Sequence, residues 1–263
     1  VMKTTSLALL LPLSSLAVPV PGGHDLSASC ILAVPNGEVV TSSHLSSLSD
    51  CKAASSLRKE QIYAQDVHLE NPDLWQNFTA SWTVPPLPSN HAGQVDYHWS
   101  GFKSGEPEMG YPVLQPVLQY GQTGRAKWQV QSWYVWGDGG KAVTGPAVAA
   151  EEGDAVDTYM TLSDDGVWTV YARNGRTGEE SVLTIERDAL GCDCDFEWAM
   201  LVHETIMDAK GYCDEYPAGS SGIEYTNVYL DGATVAWEER VQKTDCEQAV
   251  NVDGEKVAFT WKN

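Results

Sequence analysis

The chain has 263 residues, and 16 Lys and Arg stand against 36 Asp and Glu, a formal net charge of −20. With no dense run of cations it offers no footprint for phosphate groups, which argues against nucleic acid and anionic membrane surfaces as partners. Ten Trp and 11 Tyr against 4 Phe, with 23 Gly and 13 Pro, point to many short strands joined by turns, with amphipathic rings lining surfaces or a cleft.

At the amino terminus Met2-Lys3 precedes the apolar run Ser6–Leu13, and Ser15-Leu16-Ala17 supplies a small-x-small site. Residues 1–17 therefore read as a secretion signal cleaved near Ala17, too short to span a bilayer, and the mature protein is expected to be secreted, extracellular and monomeric. In that compartment the six cysteines read as disulfides. Cys30 with Cys51 is a local pair, while Cys192, Cys194, Cys213 and Cys246 leave three connectivities open. Cys192 and Cys194 stand too close to bridge comfortably, so each is expected to reach a different partner. No C-x-x-C or H-x-x-x-H spacing is present, so neither a metal nor a cofactor is expected. Asn77-Phe78-Thr79 is a glycosylation sequon.

Residues 18–66 are Ser- and Ala-rich, lack Trp and carry one helical patch around Leu57–Ala64. They read as a propeptide or a loosely ordered extension, with too few basic residues to neutralise an acidic cleft. Residues 67–263 form the sandwich domain. From Leu74 onward the texture is period-2 alternation broken by Gly, Pro, Asn and Asp. Phe78, Ala80, Trp82 and Val84 alternate with polar residues, as do Val95, Tyr97 and Trp99. The stretch Trp128–Trp136 is a long strand with Gln129, Gln131, Trp133 and Val135 on one face. Further strands are expected at Val156–Leu162, Val167–Arg173, Val182–Glu186, Glu224–Leu230, Thr234–Val241 and Lys256–Lys262. Asp164-Asp165-Gly166, Asn174-Gly175, Asp231-Gly232 and Asp253-Gly254 suit the hairpins between them. The fold class is all-β, a two-sheet antiparallel sandwich of the concanavalin-like jelly-roll type.

No G-x-S-x-G occurs and the six histidines are scattered singly, so catalysis would rest on carboxylates and amides. In an extended Ala199–Ile206, Glu204 shares a face with Val202 and Ile206. Partial burial raises a carboxyl pKa, a useful property for a general acid or base in acid. In Tyr111–Gly121, alternation puts Val113, Gln115, Val117 and Gln119 on one side, and a neutral amide there can donate to a developing oxyanion without titrating. A competing constellation is Asp193, Asp195 and Glu197. On a strand all three would project from one face, about 6–7 Å apart.

The order Phe78–Pro85, Tyr97-His98-Trp99-Ser100-Gly101, Val117–Gly121, Trp133-Tyr134-Val135-Trp136 and Ala199–Ile206 resembles the glutamic peptidases, the eqolisin family of fungal secreted acid proteases, and related concanavalin-like sandwich proteins. The resemblance implies a β-sandwich with a Gln/Glu dyad on a concave face, here Gln119 and Glu204, with Trp99, Trp133 and Tyr134 as substrate-binding neighbours. It implies a polypeptide substrate. It departs from the family pattern at Met200, Leu201, Thr205 and Val135, and at Gly137-Asp138-Gly139-Gly140. The alternative is a carbohydrate-binding or glycoside-hydrolysing sandwich, for which the spaced carboxylates of the Asp193–Glu197 run would act on a polysaccharide.

Overall fold

The computed structural model describes residues 17–21, 25–48, 51, 61–105, 112–122, 124–136, 140–190, 194–206, 213–218 and 222–262. Most of the expected signal stretch, residues 1–16, falls outside them, as do residues 52–60 and the Gly137–Gly139 segment. In chain order the strands are β1 (Ala17–Val18), β2 (Leu26–Ser27), β3 (Ile31–Ala33), β4 (Val39–Val40), β5 (Gln61–Glu70), β6 (Asn77–Thr83), β7 (Val95–Lys103), β8 (Val113–Tyr120), β9 (Trp128–Trp136) and β10 (Lys141–Thr144). They continue as β11 (Val148–Ala150), β12 (Ala155–Leu162), β13 (Val167–Asn174), β14 (Glu180–Glu186), β15 (Trp198–Ile206), β16 (Ile223–Leu230), β17 (Glu238–Val241), β18 (Ala249–Asp253) and β19 (Lys256–Thr260). Among the described residues one short α-helix, α1 (Ser42–Ser46), and three single 3-10 turns interrupt them.

Two sheets stack as a sandwich. The first runs β17-β5-β15-β7-β8-β9-β10-β3, with β11 also pairing with β9; the second runs β18-β19-β16-β6-β12-β13-β14-β4. The expected all-β sandwich is present, but the sheets are mixed rather than purely antiparallel, because β3 joins β10 and β4 joins β14 in parallel. Those strands arrive from far away in sequence, so no tight hairpin dictates their direction. Residues 31–40 thus add an edge strand to each sheet.

Most strands of the second sheet alternate visibly because one of their faces meets solvent, as in β6 and β12. β5 is different. It occupies positions 61–64, where the sequence suggested a helical patch, and Tyr63, Ala64, Gln65, Asp66 and Val67 are all buried. Covered on both faces, it carries polar side chains that are satisfied internally: Gln65 Nε2 donates to the carbonyls of Ala249 (2.6 Å) and Thr260 (2.9 Å), and Asp66 accepts from Arg240 Nε at 2.8 Å. The expected Thr234–Val241 strand is shorter, beginning at Glu238.

The main core lies between the sheets, around Phe78, Trp82, Phe102, Tyr134 and Trp168. A second apolar cluster covers the other face of the first sheet and contains Tyr63, Tyr97, Trp99, Val117, Trp133 and Val202 together with Val20, Leu26 and Cys30. Cys30 is bonded to Cys51 as expected, and Cys213 to Cys246. Cys194 is also disulfide-bonded. Since Cys213 and Cys246 bond each other, the expectation that Cys194 reaches one of them is overturned; Cys192 lies outside the described residues. Among the described residues no helix is long and apolar enough to cross a membrane.

Candidate active site

Antiparallel register assembles the site. Glu204 on β15 pairs with Tyr97 on β7, and Tyr97 pairs with Gln119 on β8. Directly opposed residues project from the same face, so carboxylate and amide rise side by side, with backbones about 10 Å apart across two strand spacings. Val202 and Ile206 flank Glu204 on that face, as alternation requires. The pairing of β15 with β5 shifts at this point: His203 opposes Gln65 and Glu204 opposes Tyr63, leaving Ala64 over. Its carbonyl accepts instead from the backbone N–H groups of Gln242 (3.0 Å) and Lys243 (3.2 Å). Such a bulge bends the strand and re-aims side chains, here beside Glu204.

One indole holds each head group. Trp99 Nε1 donates to Glu204 Oε2 at 2.9 Å, and Trp133 Nε1 donates to Gln119 Oε1 at 3.1 Å. Gly101 makes room for the first, because a Cβ there would stand 2.8 Å from the six-membered ring of Trp99. Around the second, Gln119 Nε2 donates to Gln131 Oε1 at 3.0 Å and Gln131 Nε2 donates to the Gly145 carbonyl at 2.9 Å. Amide orientation is fixed at both ends of this chain. An indole N–H only donates and a carbonyl only accepts, so Gln119 must turn its oxygen to Trp133 and Gln131 its nitrogen to Gly145. The bond that its oxygen accepts from the Trp133 indole polarises the Gln119 amide and strengthens its N–H groups as donors.

Tyr97 stands between the two head groups and its hydroxyl donates to Gln122 Oε1. Burial pushes this phenol well above its usual range, and the negative charges of Glu204, Asp25 and Asp96 push the same way, so it stays protonated. The face is covered. Glu204 is 0% and Gln119 1% exposed. Val20 and Leu26 belong to the apolar cluster over it, and Gln122 Nε2 and Gln115 Nε2 donate to the carbonyls of Pro19 (2.6 Å) and Pro21 (2.7 Å).

Of the expected substrate neighbours, Trp99 and Trp133 lie on this face and Tyr134 does not. Being one residue from Trp133 on a strand, Tyr134 points the other way, into the core between the sheets. There it stacks on Trp136 at 5.0 Å, and its hydroxyl donates to the Leu190 carbonyl at 2.6 Å. The competing carboxylate run does not form a strand face: Asp195 and Glu197 precede β15 in irregular chain. Asp195 is exposed and pairs with Arg187 at 3.5 Å, while Glu197 accepts from the Gly105 N–H at 2.7 Å. Asp193 lies outside the described residues. Sequence reasoning missed Gln131, Gln122 and Tyr97 as parts of the site. The grouping of Gln131 with Trp133 on one face of β9 was the available signal, but it acquires meaning only when β8 and β9 are set in register.

No protein-family model and no curated protein sequence matches the chain. Solved structures do. Scytalido-glutamic peptidase with a transition-state analog inhibitor superposes with a TM-score of 0.55 at 16% identity, covering 77% of this chain and 100% of that one. SCP-B, a member of the eqolisin family of peptidases in complex with the tripeptide Ala-Ile-His, gives 0.53 at 14% identity over the same shares. Identities this low establish architecture alone: the chain is a β-sandwich with the fold of the glutamic peptidases.

Proposed function

We propose that this protein is a secreted endopeptidase of the glutamic type, acting on polypeptides in acid medium. Glu204 takes a proton from water as the water attacks the scissile carbonyl. The free N–H of Gln119 donates to the oxyanion of the tetrahedral intermediate, and Glu204 then returns the proton to the departing amine. The observation that carries this reading is the shared face and register of Gln119 and Glu204, each held by an indole donor. Trp99 fixes the carboxylate without supplying a charge, and the Trp133–Gln119–Gln131–Gly145 chain sets the amide before substrate arrives.

Three further observations support the wider reading. Three solved peptidase structures of this fold are complexes with transition-state analogs or a tripeptide, which favours a polypeptide over a polysaccharide. Disulfides fit an oxidising, extracellular compartment. The net charge of −20 collapses as the carboxylates approach their reference values near pH 4, which suits acid medium. The test is digestion of a denatured protein across pH 2 to 7 by the wild type, Glu204→Gln and Gln119→Ala. Cleavage abolished by the first and strongly reduced by the second is the expected result; a wild type without cleavage at any pH, or cleavage surviving both substitutions, overturns the proposal.

A further inference from the structure

The cover over the dyad face has the chemistry of a ligand. Val18-Pro19-Val20-Pro21 lies across it, with Val18 paired to Leu26 and Val20 completely buried in the cluster that contains Tyr97, Trp99, Val117 and Trp133. The two prolines have no N–H to place, and both of their carbonyls are taken up: Pro19 by the Gln122 amide and Pro21 by the Gln115 amide. These amides are oriented without ambiguity, since a backbone carbonyl only accepts, and Gln122 in turn receives the Tyr97 hydroxyl on its oxygen. They come from positions 94 and 103 residues away in the chain, so the contacts are tertiary and specific. On the other end of its amide, Gln115 Oε1 is buried without a donor among the described residues, an acceptor that a bound chain carrying an N–H nearby would satisfy. The contacts are amide to carbonyl and apolar to apolar. No basic residue is required, which removes the expectation that an N-terminal segment would need cations to occupy this face.

We propose that the dyad face is a groove for extended, proline-containing peptides with small apolar residues between the prolines, and that residues 18–21 occupy it as a built-in ligand. This rests on reading the face as a peptide site. Proline suits the groove because its fixed φ presets the extended form and lowers the ordering cost of binding. A free peptide must compete with the tethered segment, so its apparent affinity is reduced by the fraction of molecules in which the segment is seated.

The experiment uses the full chain, with Glu204→Gln present throughout to prevent hydrolysis. The probe is acetyl-Val-Pro-Val-Pro-Gly-Gly-amide, compared with the same peptide carrying alanine for both prolines, and binding is read by calorimetry and by tryptophan emission. Val20→Asp places a carboxylate in the apolar cluster and unseats the segment. It should bind the proline peptide at least tenfold more tightly than the chain with Val20, and the alanine peptide several-fold less tightly. In that background Gln115→Ala and Gln122→Ala should each weaken binding by roughly three- to tenfold, the worth of one hydrogen bond. Equal affinity with and without Val20→Asp in a natively folded chain, or equal binding of both peptides, overturns the proposal. If Val20→Asp does not fold, hydrogen exchange decides: excess proline peptide should accelerate exchange of the Val18 and Leu26 amides in the Val20 chain, and no acceleration overturns it. The two readings fail separately. Proline-peptide binding without any Glu204-dependent cleavage sinks the peptidase and leaves the groove; Glu204-dependent cleavage of other substrates without proline-peptide binding does the reverse.

Discussion

Strands β7 and β15 each carry two polar sites, one per face, and the two are built on opposite principles. On the covered outer face, Tyr97 and Glu204 have named donors or acceptors. On the inner face the adjacent residues Asp96, His98 and His203 are 0% exposed, yet both carboxylate oxygens of Asp96, both ring nitrogens of His98 and Nε2 of His203 have no hydrogen-bond partner among the described residues. The imidazoles stack at 4.5 Å, Trp261 lies 4.7 Å from the His203 ring, and Asp96 Oδ1 stands 3.9 Å from His203 Nε2. Gln65 turns its nitrogen to two carbonyls, so its oxygen must face His203 Nδ1 at 3.1 Å, which places the proton on Nδ1 and leaves Nε2 bare. Burial pushes Asp96 well above the usual carboxylate range, holds His98 well below the usual imidazole range with His203 adding to the effect, and lowers His203 to about 3. The outer face is preorganised around a carboxylate with a donor; the inner face keeps its imidazoles uncharged.

The largest effect should come from the outer face. Glu204→Gln preserves shape and still offers Trp99 an oxygen, but it cannot accept a proton from water. Activity should fall by at least about a thousandfold while the melting temperature moves little. A comparable loss of stability would mean that Glu204 is a structural residue, and the contrast between the faces would dissolve.

The inner face predicts the pH dependence of stability. His203 has a folded value of about 3 against 6.5 for a free imidazole, so the unfolded chain binds protons first as the pH falls. Stability is therefore lost from about pH 6.5 down toward 3, and His98 acts in the same direction. Asp96 opposes them. Its folded value is raised, so its contribution is fully present below the reference value of 3.8 and is lost as the pH rises through the folded value. Two imidazoles act against one carboxylate, and acidification below about pH 6.5 is expected to lower stability. Denaturant midpoints measured from pH 7 to 3 should fall, His98→Phe should flatten the fall, and Asp96→Asn should raise the midpoint at pH 7. A midpoint independent of pH would show that the imidazoles take up protons without cost. For the proposed activity, this sets an acid limit that comes from the scaffold and not from the dyad.

Gly101 offers a smaller perturbation on the outer face. In Gly101→Ala the new methyl group meets the Trp99 ring at 2.8 Å, and either the indole or the strand must move. The expected cost is about 1–3 kcal/mol of stability. Activity should drop more than Trp99→Phe alone would cause if the displaced indole also pushes Glu204 aside; a variant as active and stable as the wild type would show that the indole has room to spare.

What the sequence revealed follows from what each segment faces. β9 was legible to the residue, and β6, β12 and β13 to within one or two, because their alternation is uninterrupted and turn residues bound them. Asp231-Gly232 is a turn for the expected reason: both residues have positive φ, 48° and 80°, and Leu230 and Ala233 exchange backbone hydrogen bonds of 2.9 Å across it. β5 was illegible because its two faces are both buried and Gln65 and Asp66 are paired inside. Gln119 and Glu204 could be singled out from local runs, and alternation alone sets each beside apolar neighbours. Their common face needs the register of three strands. Tyr134 illustrates the limit: adjacent to Trp133 in a single motif, it faces the opposite side. The cover by Val18–Pro21 was hidden for another reason, since apolar and carbonyl contacts leave no charge pattern to read.

The smallest expected effect probes the amide chain. Gln131→Leu removes the acceptor of the Gln119 NH2 and the donor to the Gly145 carbonyl, while the Trp133 indole still holds the Gln119 oxygen. Gln119 would keep its orientation but lose the restraint on its nitrogen. kcat should drop by about tenfold with KM unchanged, as for an interaction that matters in the transition state alone. The pH profile should not move, because no titrating group is touched. Gln131→Glu separates the two functions: it restores an acceptor for Gln119 but cannot donate to Gly145 when ionised. If Gln131→Glu recovers most of kcat while Gln131→Leu does not, the bond from Gln119 is what counts. Equal losses in both would assign the effect to the Gly145 strand connection, making Gln131 a brace of the sheet and Trp133 the sole group that orients the oxyanion donor.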